Sequence, residues 1–217
     1  MNVHNFSESH SIYSKFLSEL RDVSIQKDSM RFRRNLERLG EIAAYEISKE
    51  LDYRQFDITT PLGVSKMNLS EEPIVLATIL RAGLPLHHGM LNYYDNAENC
   101  FISAYRKHTT NEDFEVEIEY LSSPDLTGKT IILNDPMLAS GKSMVLAYKA
   151  LIKNGIPKKI HVVSVIASRQ GVNFVKNNLP ENTTIWLGAI DDIMSSESYI
   201  VPGLGDAGDL AFGSKLD

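Results

Sequence analysis

The chain has 217 residues, 43% of them hydrophobic, and 22 basic against 28 acidic side chains, for a net charge of −6. That apolar content suffices for one packed domain over 1–217, and an acidic balance without a Lys/Arg-rich run argues against nucleic-acid binding. A lone cysteine, Cys100, makes no internal disulfide, the start MNVHNFSESH is polar, and no apolar run reaches about eighteen residues, so a soluble, cytoplasmic protein with a core thiol and no membrane partner is expected.

Along the chain, Ile12, Phe16 and Leu20 recur at helical spacing within 11–22, and Phe32, Leu36, Leu39, Ala43 and Ile47 do so in a longer helix over about 30–51. The second stripe suits a core or a subunit contact equally well. An apolar strand, Pro73 to Leu80, runs into Arg81-Ala82-Gly83 and a helix through Leu91. Cys100 to Tyr105 makes another strand, ending at Arg106. Ile131 to Leu133 is a strand apolar on both faces, followed by a helix carrying Met144, Ala147, Tyr148 and Leu151 and stopped near Gly155 and Pro157. The strand Ile160 to Ala167, a helix with Val172, Val175 and Leu179, and the strand Thr184 to Leu187 complete the series. Such alternation predicts an α/β fold, a parallel sheet flanked by helices.

The segment TIILNDPMLASGKSM, Thr130 to Met144, has the form of a phosphate grip at the carboxyl end of a strand. Ser140, Gly141 and Ser143 supply hydroxyls and open backbone where a helix begins, so free N–H groups and the helix dipole face an anion together. Asp135 would repel a phosphate but suits sugar hydroxyls or a metal. A Walker A loop is excluded, because its first glycine would stand where this chain has Pro136, which has no N–H and a fixed φ of roughly −65°.

Two segments interrupt the rhythm. Lys107 to Asp113, KHTTNED, is a polar loop before the alternating strand Glu115 to Tyr120, together a flap or hairpin over the carboxyl edge of the sheet. Tyr199 to Gly213, YIVPGLGDAGDLAFG, holds Pro202, Gly203, Gly205, Gly208 and Gly213, which suits a hood that reads a small planar ligand with main-chain groups.

NDPMLASGKS, ILRAG at 79–83, YR at 105–106 and YIVPGLGDAGD at 199–209, with RFR at 31–33 and YE at 45–46, closely resemble uracil phosphoribosyltransferase, a family of the type I phosphoribosyltransferase superfamily. The resemblance implies conversion of uracil and 5-phosphoribosyl diphosphate to UMP and diphosphate in pyrimidine salvage, usually with Mg2+, and a homo-oligomer is expected. It places Asp135, Pro136, Met137, Leu138, Ala139, Ser140, Gly141, Lys142 and Ser143 around the ribose 5-phosphate, with Asp135 on the ribose hydroxyls. Arg81 and Arg106 would face the diphosphate, where guanidinium forks match developing charge. Ile200, Gly205, Asp206 and Ala207 would frame the base, and Asp135, Asp206 and Arg106 would carry catalysis. No dedicated protein metal site is expected.

Ala139 stands where purine-specific relatives commonly carry an acid, which favours a pyrimidine. The chain leaves the family pattern at Ser140, Lys142 and Asn134, the last replacing a usually apolar residue, and at Pro85, His87 and His88. The paired histidines are read as solvated helix residues without a role. The alternatives are a phosphoribosyltransferase for another base, a regulatory relative without turnover and, more remotely, a nucleoside kinase.

Overall fold

The computed structural model describes residues 1–108 and 114–215, with side chains described outside 104–117. The chain opens with β1 (Asn2–Asn5), a 3-10 turn at Phe6–Glu8, α1 (Tyr13–Arg21) and α2 (Ser29–Ser48). A hairpin of β2 (Arg54–Thr60) and β3 (Gly63–Leu69) precedes β4 (Ile74–Leu80), α3 (Leu84–Leu91), β5 (Glu98–His108) and β6 (Phe114–Ser122). Then come β7 (Thr130–Asn134), β8 (Met137–Leu138), α4 (Lys142–Leu151), β9 (Lys159–Ser168) and α5 (Arg169–Asn178). The last elements are β10 (Thr183–Asp191), β11 (Ile193–Met194), β12 (Ile200–Val201) and α6 (Ala207–Phe212).

The main sheet has the order β1-β10-β9-β7-β4-β5-β6, with β8 also paired to β9. All its pairings are parallel except that of β5 with β6. Both faces are covered, which is why the central strands are mostly apolar instead of alternating. Ile132, Leu76 and Val163 pack into the layer that holds α1, α2 and α3, while Ile131, Leu133, Val75 and Val162 pack into the layer with α4 and α5. Each such side chain is removed from water almost completely, a gain of about 1.5–3 kcal/mol apiece.

Helix α2 begins at Asp28, whose carboxylate accepts from the Arg31 amide at 3.0 Å. This cap satisfies one of the orphan N–H groups of the first turn. The expected stripe of Phe32, Leu36, Leu39, Ala43 and Ile47 is wholly buried on it. On α1 the buried apolar residues are Tyr13, Leu17 and Leu20; of the expected stripe Leu20 is buried and Phe16 packs half-buried on the core, while Ile12 is 57% exposed, because the helix starts after it, at Tyr13.

Two segments without an expected element form strands, and one further expectation is corrected. The polar start forms β1, an edge strand in register with Thr184 to Leu187 of β10. Residues 54–69, for which no element was expected, form the β2–β3 hairpin, whose Ile58, Leu62, Val64, Met67 and Leu69 are exposed. His87 is fully buried, not solvated: its Nε2 lies 2.7 Å from Asn99 Oδ1, and burial pushes its pKa below the ordinary histidine value. His88 is exposed as expected. Cys100 is a buried core thiol, its pKa pushed up to about 11 by burial, and so a poor nucleophile.

Candidate active site

Because β4, β7, β9 and β10 run parallel, their carboxyl ends lie along one edge of the sheet, where ligands of open α/β sheets bind. The Arg81 turn leaves β4 there, the 135–143 segment leaves β7, Ser168 ends β9 and Asp191 ends β10. Four distant stretches of sequence thus meet at one rim.

The 135–143 segment is a loop wrapped around a two-residue strand. Asp135 donates its amide to Val163 O at 3.1 Å and accepts the Met137 amide on Oδ1 at 3.2 Å. Pro136 O accepts from the amides of Val165 and Ile166, and Met137–Leu138 then pairs with Ile166–Ala167. The Leu138 side chain is buried in the core and Pro136 is buried too, so of the expected contact residues these two present no side chain to the rim. Ala139, Ser140 and Ser143 are partly exposed, and Lys142 is exposed.

Gly141 is the pivot. Its φ of 78° lies in the left-handed region, which a residue with Cβ adopts only under strain, and it caps α4, which begins at Lys142. The Lys142 amide reaches Ser140 Oγ at a long 3.4 Å. The amides that follow in the first turn have no intrahelical acceptor, so they and the dipole make the rim attractive to a phosphate. Support comes from below: Ser168 Oγ donates to Ala139 O at 2.5 Å and accepts the Gly171 amide at 2.8 Å, capping α5 as it holds the loop. Ser168 was not anticipated; its only signal in the sequence was a serine at a strand-to-helix junction.

Arg81 is 43% exposed and turned toward the C-terminal segment. Nη2 donates to Asp209 Oδ1 at 3.1 Å and Nη1 to Gly213 O at 3.3 Å. The structure therefore joins ILRAG to YIVPGLGDAGD, two motifs about 120 residues apart in sequence. Asp209, which no sequence expectation singled out, is the joint. The peptide between Leu80 and Arg81 is cis, as is that between Val201 and Pro202. Arg106 lies on β5 opposite Val116 of β6, and its side chain is outside the described residues. The expected polar loop begins later than anticipated, since Lys107 and His108 continue β5; its remainder, 109–113, lies outside the described residues.

The C-terminal segment is neither helix nor strand throughout, as its glycines demand. Ile200 pairs with Met194 and its side chain is in the core, as is that of Ala207. Either residue can offer a base only main-chain groups. Gly205 is exposed at φ 90°, and Asp206 caps α6 by accepting the Asp209 amide at 3.0 Å.

Residues to which sequence reasoning gave no role hold this segment in place. Asp191 accepts both Nη groups of Arg21, at 2.8 and 2.9 Å, and the Gly203 amide at 3.0 Å, while Arg21 Nη1 also donates to Gly203 O at 3.1 Å. Gln26 Nε2 donates to Leu204 O at 3.0 Å, and Arg33 Nη1 to Ala211 O at 2.6 Å. A second, partly buried network braces the helices behind them. Glu19 takes two hydrogen bonds from Arg31 and one from Asn35, and the Arg31 guanidinium draws its carboxyl down to about 2.

A family model described as uracil phosphoribosyltransferase matches residues 7–214. A protein of Porphyromonas gingivalis named uracil phosphoribosyltransferase is 55% identical over 216 residues, covering 100% of both chains. One of that name from Methanococcus maripaludis is 37% identical over 203 residues, covering 92% of this chain and 85% of its own. Among solved structures, a protein from Aquifex aeolicus superposes with a TM-score of 0.87 at 29% identity, over 99% of this chain and 100% of that one. A hypoxanthine phosphoribosyltransferase from Staphylococcus aureus does so at 0.51 and 13% identity, over 85% and 84%, a likeness of fold alone.

Proposed function

The chain belongs to the uracil phosphoribosyltransferase family, and we propose that it transfers the 5-phosphoribosyl group of phosphoribosyl diphosphate to uracil, giving UMP and diphosphate in pyrimidine salvage. The observation that carries this reading is the meeting at one sheet edge of an anion-binding loop at a helix start and a glycine-rich segment tied to Arg81.

In this reading the amides of 139–143 and the first turn of α4 hold the 5-phosphate, and Asp135 accepts from the ribose hydroxyls. Arg81 and Arg106 face the diphosphate. As the bond from the anomeric carbon to diphosphate breaks, its electron pair leaves with the diphosphate, and paired guanidinium donors match the charge that accumulates there. A uracil ring nitrogen then forms the new bond to that carbon and gives up its proton. Uracil lies against the main chain of Ile200, Gly205, Asp206 and Ala207. Its two carbonyls flanking an N–H suit backbone donors and acceptors without a charged side chain. Orientation of two bound substrates supplies much of the rate, and no covalent nucleophile is needed.

Mg2+ is part of the proposal. The ion would neutralise charge on the diphosphate. It is commonly held by one or two carboxylates together with substrate phosphates. Asp135, half-buried at the end of β7, fits the single-carboxylate share of such a set, and no group of three or more His, Cys, Asp or Glu stands together among the described residues. A homo-oligomer belongs to the same reading, supported by the exposed apolar side chains of the β2–β3 hairpin. No described helix is long and apolar enough to cross a membrane, and the cytoplasm is the proposed location.

The test is direct. Purified protein, uracil, phosphoribosyl diphosphate and Mg2+ should yield UMP and diphosphate in equal amounts. Cytosine exchanges two of the groups that the backbone reads, leaving unpaired partners at about 1–3 kcal/mol each, so its kcat/KM should be lower by roughly a hundredfold or more. Comparable kcat/KM for cytosine or hypoxanthine would overturn the assignment of uracil.

A further inference from the structure

Two polar side chains lie fully buried side by side near the carboxyl ends of two central strands. Thr78 of β4 and Asn134 of β7 are register partners on adjacent strands, and neither is exposed at all. Such burial is costly unless every polar atom is engaged. Here Thr78 Oγ1 donates to Asn134 Oδ1 at 2.9 Å, and Asn134 Nδ2 donates to Ala77 O at 2.9 Å. The carboxamide is thereby held in one orientation, bound on both sides by β4. An apolar residue would fill this position without the cost, so the polar pair invites a reason other than stability.

That reason lies directly above it. Gly83 closes the Arg81 turn by donating its amide hydrogen bond to Ile79 O at 3.1 Å, and a Cβ at Gly83 would stand 2.2 Å from Thr78 Oγ1 and 3.2 Å from Asn134 Oδ1. The turn is seated on the pair, and only glycine permits that approach. On the other strand, Asn134 is bonded through the chain to Asp135, the first residue of the phosphate loop. One hydrogen-bonded pair is thus a common floor for both anion-facing loops, with Arg81 two residues before Gly83.

We propose that Thr78 and Asn134 are positioning residues, which act through the Arg81 turn and through Asp135 to set the spacing between the diphosphate end and the ribose end of the bound phosphoribosyl donor. The proposal rests on the reading of these loops as the donor site. A donor that must touch both loops feels any change in their separation, and a displacement of about 1 Å can cost roughly a hundredfold in rate. Uracil, which meets the C-terminal segment, does not span the two loops.

The experiment compares wild type with Thr78→Val, Thr78→Ser and Asn134→Leu by initial rates, varying each substrate in turn, together with thermal melting. Thr78→Val is nearly isosteric and replaces only the hydroxyl by a methyl, so it carries the test by itself if Asn134→Leu does not fold. Thr78→Val should raise KM for phosphoribosyl diphosphate and lower kcat, a combined loss of roughly tenfold to a hundredfold in kcat/KM. KM for uracil should stay within about twofold, and Thr78→Ser should restore all three constants to about that margin. A Thr78→Val protein with a lower melting temperature but unchanged constants would show the pair to be merely structural and overturn the proposal. So would an equal rise in both KM values. Failure of the functional reading is separable, since wild type itself would then form no UMP.

Discussion

Removing the Asp191 carboxylate isolates the contribution of the clamp that holds the C-terminal segment. Asp191→Ala deletes three charge-assisted hydrogen bonds, two from Arg21 and one from the Gly203 amide. Such bonds contribute about 1.5–3 kcal/mol each when formed in isolation, but they do not add when they share one acceptor group. Asp191 is 9% exposed and Arg21 23%, so the pair lies between a surface ion pair at about 0–1 kcal/mol and a buried one whose disruption costs about 3–5 kcal/mol. Arg21 keeps its bond to Gly203 O and can reach water, which lowers the loss further. A net destabilisation of about 2–4 kcal/mol follows, and at about 2–4 °C per kcal/mol for a chain of this length the melting temperature should fall by about 4–16 °C. Gly203 stands two residues before Gly205, so the loosened loop should also raise KM for uracil by roughly tenfold, with KM for phosphoribosyl diphosphate within about threefold. Scanning calorimetry reads the first effect and initial rates the second. An unchanged melting temperature together with an unchanged uracil KM would refute the clamp, and equal rises in both KM values would refute its assignment to the base.

Asp135→Asn keeps an acceptor for the Met137 amide and should fold normally, yet lose roughly tenfold to a hundredfold in kcat/KM as a charged acceptor for the ribose hydroxyls disappears; unchanged kcat/KM would remove Asp135 from the site. Lys142, exposed and without an ion pair among the described residues, stands at the first position of α4. Lys142→Gly should raise KM for phosphoribosyl diphosphate by roughly threefold to thirtyfold and leave KM for uracil nearly constant, whereas an unchanged donor KM at low salt would show the lysine to be solvated only. His161 supplies a pH prediction. Its Nδ1 accepts the Trp186 indole N–H at 3.1 Å, so protonation would set donor against donor, and burial pushes its pKa down to about 4. Between about 6.5 and 4 the unfolded chain therefore binds a proton that the native state refuses, and this residue lowers stability as pH falls, by up to about 1.4 kcal/mol per unit, levelling off below about 4. His161→Gln should flatten that part of the melting profile relative to wild type, and an identical slope would exclude the residue.

Local pattern determined much of this protein. The apolar runs at 73–80, 131–133 and 160–167 read as strands covered on both faces, and the stripe from Phe32 to Ile47 as a helix with one buried side. The serine and glycine pattern of 140–143 pointed to an anion-attracting helix start at α4, because a left-handed glycine and free first-turn amides are consequences of sequence at short range. Helical periodicity was silent on β1 and on the β2–β3 hairpin, which are polar or exposed at most positions and so carry no stripe or apolar run to read. His87 was misjudged because its burial depends on Asn99 and Phe101 of β5, residues outside its own helix. The bonds that join Arg81 to Asp209, Arg21 to Asp191 and Gly203, and Thr78 to Asn134 were likewise beyond reach. Each links segments between 56 and 182 positions apart, and a charged or polar side chain carries no mark of its partner until parallel strands bring their carboxyl ends to one edge. Sequence alone determined which chemical groups this chain could bring to a phosphorylated sugar; only the tertiary structure decided which of them share a rim, because that proximity comes from strand order and not from chain order.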